Sequence, residues 1–212
     1  MKETLRGFIN GILAGISIAI GGTAFLAVDN KIVGSLLFAV GLFTICSFGF
    51  SLFTGKVCYV FDNKPSYALS LISIWLGNFL GTFLAAKAEL FTRIAPAISE
   101  KAKAVSEAKL SDSILSVFIL AIFCNILIYI SVESYKSCES YAGKYLGLMF
   151  GVVVFVLCGF EHCVANMYYF SVASVWSLKA FLYIFVITLG NSVGGVVIPL
   201  LRKIVGSVRI NG

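Results

Sequence analysis

The chain has 212 residues, of which 59% are hydrophobic and 12% are charged, with a formal net charge of +6 and a mean hydropathy of +1.00. A soluble domain needs a polar surface that this composition does not supply, so the composition indicates a chain whose solvent is lipid. The basic residues are scattered around the ends of apolar stretches rather than gathered in one stripe, which argues against nucleic-acid binding.

Apolar windows predict six membrane-spanning helices. A helix needs about 20 apolar residues to cross the hydrocarbon layer, so six crossings leave no room for a separate soluble domain. The first span is too long for the apolar segment of a signal peptide, and similar spans follow it, so we interpret it as the first helix. The predicted spans are residues 8–28, 32–53, 67–86, 113–132, 145–161 and 179–201.

The long connection between the third and fourth spans, residues 89–112, is rich in charged residues, and its Ala, Ile and Val recur at helical spacing. It predicts a short amphipathic helix outside the bilayer. It divides the chain, which we interpret as one transmembrane domain over residues 1–212, into segments of about 6–88 and 113–204. Six spans place both termini on one side of the membrane. When the long connection is left out, Lys and Arg are in excess on that side, which predicts cytoplasmic termini.

Two pairs of motifs indicate an internal repeat. GFSLFTGK at residues 49–56 is followed by GNFLG at residues 77–81, and GFEHCVAN at residues 159–166 is followed by GNSVG at residues 190–194. The same two signatures therefore occur in the same order in each segment. Because each repeat contains three spans, the second repeat must be inverted relative to the first.

Each repeat also interrupts its middle span with polar residues. Residues 54–56 interrupt the apolar run in the first repeat, and Glu161, His162 and Asn166 lie at the matching place in the second. Polar groups at membrane depth are tolerated only where they line protein or a water-filled cavity. We therefore predict that the second and fifth helices are broken and that the conduction site lies at the breaks.

The sequence resembles the formate/nitrite transporter family, which consists of pentameric channels with an aquaporin-like fold. The overall likeness is closest to the hydrosulfide channel branch of that family. The resemblance covers nearly the whole chain and implies an all-α integral membrane protein, six helices in two inverted three-helix repeats, and a homopentamer in the lipid bilayer. It rests on GFSLFTGK at 49–56, GNFLGT at 77–82, CNILIYI at 124–130, GFEHCVANMYYF at 159–170 and LGNSVGG at 189–195.

The resemblance also implies roles for individual residues. Two positions, Tyr168 and Tyr169, depart from the family's pattern in the segment after the second break. Lys109 matches a basic residue that faces the pore from the outer side. The residues that match pore constrictions are Phe38, Leu42, Leu52, Phe53, Ile128 and Phe155. The residues that match the polar centre of the pore are Thr54, Asn125, His162 and Asn191.

His162 is the single histidine of the chain, which argues against a metal centre with two imidazole ligands. We expect no metal and no cofactor. The imidazole is either a buried group that Thr54 or the backbone satisfies, or a group that acts on the substrate; the cost of an ionisable group at membrane depth favours the second interpretation. An unperturbed imidazole titrates near about pH 6.5 and is able to hydrogen-bond an anion or lend it a proton. Glu161 is either a proton relay or a structural acceptor for the backbone N–H groups freed by the helix breaks, and the structural role is favoured because a pore-facing carboxylate repels anions.

These features predict a channel for small monovalent anions of weak acids, namely hydrosulfide, formate and nitrite, with hydrosulfide favoured. A bare anion loses its hydration at high cost in an apolar slit, whereas its protonated acid loses far less. We hypothesise that Lys109 attracts the anion and that Asn125 and Asn191 replace part of its water shell. His162 then hydrogen-bonds the anion or shares a proton with it.

Three other functions are alternatives to this prediction. A water or glycerol channel of similar fold needs two NPA turns, and the three prolines lie outside any such motif. A proton-coupled secondary transporter of the same anions remains an alternative, because Glu161 and His162 are suited to proton coupling. A membrane enzyme is not expected, because the chain lacks paired carboxylates or a Ser and Lys dyad at depth.

Lys56 and Lys144, near span ends, are either snorkelling lysines or charges at a pore mouth.

Overall fold

The computed structural model describes residues 2–207, with side chains described for residues 4–206, and all regular elements in that range are helical. A short 3₁₀ turn, Val60–Asp62, follows the third α-helix. The α-helices are α1 (Lys2–Ala27), α2 (Lys31–Phe48), α3 (Phe53–Val57), α4 (Tyr67–Glu89), α5 (Ala95–Ser111), α6 (Ile114–Ser137), α7 (Tyr141–Leu157), α8 (Cys163–Ala173) and α9 (Leu178–Ser207). The predicted all-α membrane fold is confirmed.

Within residues 2–207, α1, α2, α4, α6 and α9 are long and apolar enough to cross a membrane. Helix α7 is apolar but has only 17 residues, and α8, with 11 residues, follows it after a break. We count α7 with α8 as the fifth crossing, as α2 with α3 forms the second. We call the end of the bundle that carries α5 the α5 face, and the opposite end, where α1 begins and α9 ends, the terminal face.

Both breaks begin earlier than the sequence analysis predicted. Helix α2 ends at Gly49, which has a φ of 71°, and α7 is followed by Gly159, which has a φ of 70°. Only glycine adopts this left-handed conformation without strain, so each glycine ends its helix and the chain then runs extended. As a correction, residues 54–56 lie inside α3 and Asn166 lies inside α8, where they continue a helix instead of interrupting it.

The repeat is visible in the hydrogen bonds that hold the two breaks. In each half, one main-chain bond closes the turn and a second ties the extended segment to the first helix of that half. The four bonds, written donor to acceptor, are Phe50 to Ile45 (3.0 Å), Ser51 to Asn10 (3.2 Å), Phe160 to Phe155 (2.9 Å) and Glu161 to Leu120 (3.4 Å). Each residue of the second half lies 110 positions after its counterpart in the first.

Glycines allow the outer helices of each half to pack closely. A Cβ atom on Gly81 of α4 would overlap the carbonyl oxygen of Ile12 in α1, and a Cβ atom on Gly194 of α9 would overlap that of Ile122 in α6. Small residues at such positions let two helix backbones approach, which is the common way of packing helices in lipid. The glycine motifs of the repeat thus set the distance between the first and third helices of each half.

Helix α5 covers part of the bundle at the α5 face and contacts α1 and α8. Its buried side chains, Ile98, Ala102 and Ser106, recur every four residues, as expected of an amphipathic helix. Lys101 of α5 bonds Asp29 in the α1–α2 loop at 2.7 Å, and this contact holds the pKa of the Asp29 carboxyl below its usual value. Helix α5 is therefore fixed against the end of the membrane-spanning bundle.

Candidate functional site

The two breaks meet at Thr54 and His162. The hydroxyl oxygen of Thr54, in α3, lies 3.0 Å from Nε2 of His162, the N-cap residue of α8. Thr54 has no exposed surface and His162 is 1% exposed. Residues that are 108 positions apart in the chain thus form one buried polar pair at the centre of the fold.

The cap of α8 determines which nitrogen of the imidazole carries the proton. Nδ1 of His162 accepts a hydrogen bond of 3.1 Å from the backbone N–H of Ala165. Because Nδ1 is an acceptor, the proton of a neutral ring lies on Nε2, which donates to the Thr54 hydroxyl oxygen. The hydroxyl proton of Thr54 is then left for a further acceptor, since this side chain has no other hydrogen bond among the described residues.

Aromatic rings pack against this polar pair. Phe155 of α7 stacks on the imidazole of His162, with the ring centroids 5.6 Å apart, and Phe38 of α2 meets Phe155 edge to face at 5.7 Å. The residues predicted as constrictions, each at most 7% exposed, are Phe38, Leu42, Leu52, Phe53, Ile128 and Phe155. The side chains that pack against the polar pair are therefore apolar.

A cavity of about 340 Å³ opens toward the α5 face and reaches Phe155 and His162. Its polar lining includes Lys109, Glu161 and Asn166. Nζ of Lys109 lies 2.8 Å from Oε2 of Glu161, and the side-chain amide of Asn166 donates to the same oxygen at 2.5 Å. Glu161 therefore accepts from two side chains, rather than from the backbone N–H groups that the sequence analysis considered. We call this space the α5-face cavity.

A second cavity of about 140 Å³ opens toward the terminal face. Leu42, Leu52 and two lysines, Lys56 and Lys136, are among its lining residues, and no acidic residue is. It has no lining residue in common with the α5-face cavity. Because Gly55 lines this cavity and His162 lines the other, the Thr54–His162 pair lies where the two approach each other. We call this space the terminal-face cavity.

The lysines of the terminal-face cavity lack acidic partners in the described part of the chain. The ammonium group of Lys56 has no hydrogen bond or ion pair there, and that of Lys136 lies 3.8 Å from the centroid of the Tyr59 ring. Lys144, considered together with Lys56 from the sequence, instead lies over the Tyr135 ring and lines neither cavity described above. The terminal-face cavity is therefore positively charged, whereas Lys109 is paired with Glu161 in the α5-face cavity.

Asn125 and Asn191, predicted as the polar pair near the histidine, bond mainly to backbone. The amide of Asn191 donates to the carbonyl oxygens of Ala121 and Glu161, and its oxygen accepts from the backbone N–H of Cys163 at 2.9 Å. The amide of Asn125 donates to the carbonyl oxygens of Thr54 and Asn191, while its own oxygen has no partner among the described residues. Asn191 therefore stabilises the second break by bonding three backbone groups.

Asn78 is the residue that sequence reasoning missed. Its oxygen accepts from the backbone N–H of Phe53 at 2.8 Å, and its amide donates to the carbonyl oxygens of Gly11 and Ser51. These are the bonds of Asn191 repeated in the first half. The GN motif contained the signal, but the sequence analysis assigned a role only to the asparagine of its second copy, Asn191.

Within residues 2–207, no group of three or more His, Cys, Asp or Glu side chains is arranged to hold a metal ion.

Comparison with known proteins places this geometry in a family. The formate/nitrite transporter family matches residues 1–204. The formate channel FocA of Haemophilus influenzae is 26% identical over 240 aligned positions, covering 92% of this chain and 84% of that protein. A probable formate transporter of Methanothermobacter thermautotrophicus is 29% identical over 226 positions, covering 87% and 82%.

Solved structures agree with the fold. A pentameric formate channel with formate bound matches with a TM-score of 0.85 at 25% identity, covering 98% of this chain and 99% of that one. An ion channel of the FNT family matches with a TM-score of 0.78 at 22% identity, covering 96% and 89%. The second likeness shows the fold alone.

Five helices that are long and apolar enough to cross a membrane, together with the match to a transporter family over residues 1–204, define a multi-pass membrane transport protein. The chain belongs to the formate/nitrite transporter family. The family predicted from the sequence motifs is thereby confirmed.

Proposed function

We propose that this protein is a channel for small monovalent anions of weak acids, with hydrosulfide favoured and formate and nitrite also carried. The observation that carries the proposal is the Thr54–His162 pair, which lies between two cavities and is surrounded by apolar side chains. A passage of this kind admits a small ion only if donors replace its water. FocA and the probable formate transporter are named for one such anion.

The hydrogen-bond directions at the pair suit an anion. Nε2 of His162 donates to the Thr54 oxygen, and the Thr54 proton is then donated onward, so an anion beside this hydroxyl meets a positive hydrogen. Hydrogen bonds to an ionised acceptor are about twice as strong as those between neutral groups. The hydrogen bond from the Thr54 hydroxyl therefore compensates for part of the hydration free energy that the anion loses in the constriction.

The cap of α8 favours hydrogen bonding over proton donation by His162. A ring that gives a proton away must first carry protons on both nitrogens, and a proton on Nδ1 would remove the bond from Ala165. A neutral ring keeps that bond and still donates through Nε2. In this proposal His162 thus orients Thr54 and stabilises the anion, and proton sharing is a secondary route.

The charge distribution supports anion entry from the terminal face. The α5-face cavity is lined by two lysines and two acidic residues, whose formal charges balance: Lys31, Lys109, Asp112 and Glu161. The terminal-face cavity, in contrast, is positive because Lys56 and Lys136 line it. Clefts of one sign within low-dielectric walls concentrate ions of the opposite sign. Glu161 remains tied to Lys109 and Asn166, which limits its repulsion of anions and fits a structural role.

Hydrosulfide is favoured on two grounds. The resemblance described in the sequence analysis favours the hydrosulfide branch of the family. Hydrosulfide also has a single non-hydrogen atom, which suits a constriction of closely packed Phe38, Phe155 and Leu42. Formate and nitrite each have three such atoms and need a wider opening. The proposed preference for hydrosulfide therefore arises from the size of the ion that passes through the constriction.

We further propose a homopentamer in the cell membrane with both termini in the cytoplasm. The structure that matches 98% of this chain is that of a pentameric formate channel. Large apolar side chains are exposed on the membrane-spanning helices, as faces that meet lipid or neighbouring subunits require, and they include Leu36, Phe43, Ile72, Leu84, Phe123, Phe150 and Phe185. Each subunit has its own pair of cavities, so each would conduct independently.

The test is uptake into proteoliposomes of the purified protein, with hydrosulfide, formate, nitrite, chloride and glycerol compared across about pH 5 to 8 and protein-free vesicles as the control. We expect fast flux of the three weak-acid anions, with hydrosulfide fastest, and no glycerol flux. Glycerol flux without anion flux would contradict the proposal. Slow, saturable anion flux that a proton gradient drives uphill would instead identify a proton-coupled secondary transporter.

A further inference from the structure

Tyr169 is a buried tyrosine whose hydroxyl has no hydrogen-bond partner among the described residues. Four tyrosines in the described part of the chain are at most 6% exposed, namely Tyr129, Tyr168, Tyr169 and Tyr183. The hydroxyls of Tyr129, Tyr168 and Tyr183 each have a hydrogen-bond partner, at 3.1, 2.6 and 2.6 Å. Tyr169, at 5% exposure, forms no such bond within the described residues.

A phenol in a buried position needs a partner, because burying an unpaired hydroxyl has a free-energy cost that phenylalanine would avoid. Tyr169 lines the α5-face cavity. Its hydroxyl oxygen has no hydrogen-bond partner among the described residues, yet it is not fully enclosed by protein, so it is accessible from the cavity. Glu161 lines the same cavity but accepts no bond from it. The hydroxyl is thus a donor that the fold itself leaves unused.

The position of Tyr169 on α8 places it on the route to the central pair. His162, Asn166 and Tyr169 follow one another at the four- and three-residue spacing of a helix face, and all three line the cavity. The helical rise puts Tyr169 about 10 Å from His162 along the axis of α8, toward the α5 face. An ion that enters there passes Tyr169 before it reaches His162.

We propose that the Tyr169 hydroxyl is an anion contact in the α5-face cavity. It binds oxyanions, such as formate and nitrite, more tightly than it binds hydrosulfide. The inference rests on the proposed function. A hydroxyl forms short, strong hydrogen bonds to a charged oxygen, whereas sulfur is a weaker acceptor. Two lysines of the same cavity, Lys31 and Lys109, offset the two acidic residues that line it, so the cavity has no net negative charge that would exclude an anion. Oxyanions are therefore retained at Tyr169, while the apolar constriction below favours the smaller ion.

The test compares the wild type with Tyr169→Phe, which removes only the hydroxyl oxygen. The control is Tyr141→Phe, because Tyr141 is 79% exposed and lies outside both cavities. Flux into proteoliposomes is measured as a function of concentration for formate, nitrite and hydrosulfide. We expect half-saturating concentrations of formate and nitrite to rise about tenfold in Tyr169→Phe, as for loss of one hydrogen bond to a charged group, and that of hydrosulfide to change less than about twofold. The control should match the wild type.

Equal shifts for all three anions, or no shift, would overturn the assignment of Tyr169 while leaving the channel function intact. A wild type that carries none of the anions would overturn both. A second measurement needs no variant: formate added to the wild type should slow hydrosulfide flux at concentrations near its own half-saturation, because it occupies the cavity on the route. Hydrosulfide flux that is insensitive to formate would also overturn the assignment.

Discussion

Nε2 of His162 lies 3.0 Å from the hydroxyl oxygen of Thr54, and this contact joins the two halves of the repeat at their breaks. It links α3, through Thr54, to the N-cap of α8. Neither half contains this pair alone. The association of the two halves is therefore what creates the site.

Replacement of Thr54 by valine tests whether its hydroxyl assists the anion. Valine has nearly the same shape but lacks the donor, so we expect formate flux in proteoliposomes to fall about tenfold, the effect of losing one hydrogen bond to a charged group. Thr92→Val, at an exposed position of the α5 face, is the matched control. Wild-type flux in Thr54→Val would show that the hydroxyl does not act on the anion.

His162→Asn separates the cap of α8 from the imidazole. Asparagine is a good N-cap residue, so α8 should keep the acceptor for the backbone N–H of Ala165 and the assembly should remain folded. We expect flux to decrease because the Nε2 donor to Thr54 is lost, and the pH profile between about pH 5 and 8 to stay as in the wild type, because the proposed role uses a neutral ring. The measurement is initial flux at each pH together with size-exclusion chromatography. A pH profile that differs between the variant and the wild type would show instead that His162 shares a proton with the anion.

Lys56 and Lys136 should concentrate anions in the terminal-face cavity. The double variant Lys56→Gln with Lys136→Gln removes both of its positive charges, and we expect anion conductance at low ionic strength to fall about tenfold. The deficit should shrink as salt is added, because salt screens the charges. Lys64→Gln, at an exposed position outside this cavity, is the control. A deficit that is independent of salt would argue against an electrostatic role.

Asn78 and Asn191 should contribute equally to stability, because they make the same three bonds in the two halves. Asn78→Leu leaves several buried backbone groups without a partner, at about 1–3 kcal/mol for each. We expect Asn78→Leu and Asn191→Leu to lower the thermal unfolding midpoint of the purified protein by similar amounts. Asn63→Ser, at an exposed position where the side chain bonds only the carbonyl oxygen of Tyr59, should lower it much less. A large loss in only one of the two leucine variants would contradict the equivalence.

The sequence predicted the parts of this structure that depend on local pattern. Apolar runs located the long helices, and the polar residues that interrupt the middle spans located the two breaks to within about five residues. The start of each break was misplaced because polarity, rather than the conformation of Gly49 and Gly159, was taken as the signal. A left-handed glycine ends a helix whatever the polarity of the residues that follow.

Contacts between distant segments were less accessible to sequence reasoning. The pairing of Lys109 with Glu161, and the bracing bonds of Asn78, depend on how helices pack, and nothing in the local pattern specifies a partner 52 or 67 residues away. Tyr169 was noticed only as a departure from the family's pattern. Its exposure to the cavity depends on the placement of α8 against α5, which spacing alone does not give.

The close approach of α1 and α4 leads to a last prediction, at Gly81. A Cβ atom there would overlap the carbonyl oxygen of Ile12 and lie 3.0 Å from its Cα, and neither is able to move without shifting α1. We therefore expect Gly81→Ala to destabilise the protein by about 1–3 kcal/mol, the usual cost of overpacking. Gly206→Ala, where no atom lies within 4 Å of the added Cβ, is the control. The unfolding midpoints of both variants, measured in the same detergent, check the prediction. Equal midpoints would mean that α1 and α4 separate at little cost, so that the glycines of the repeat do not set the distance between them.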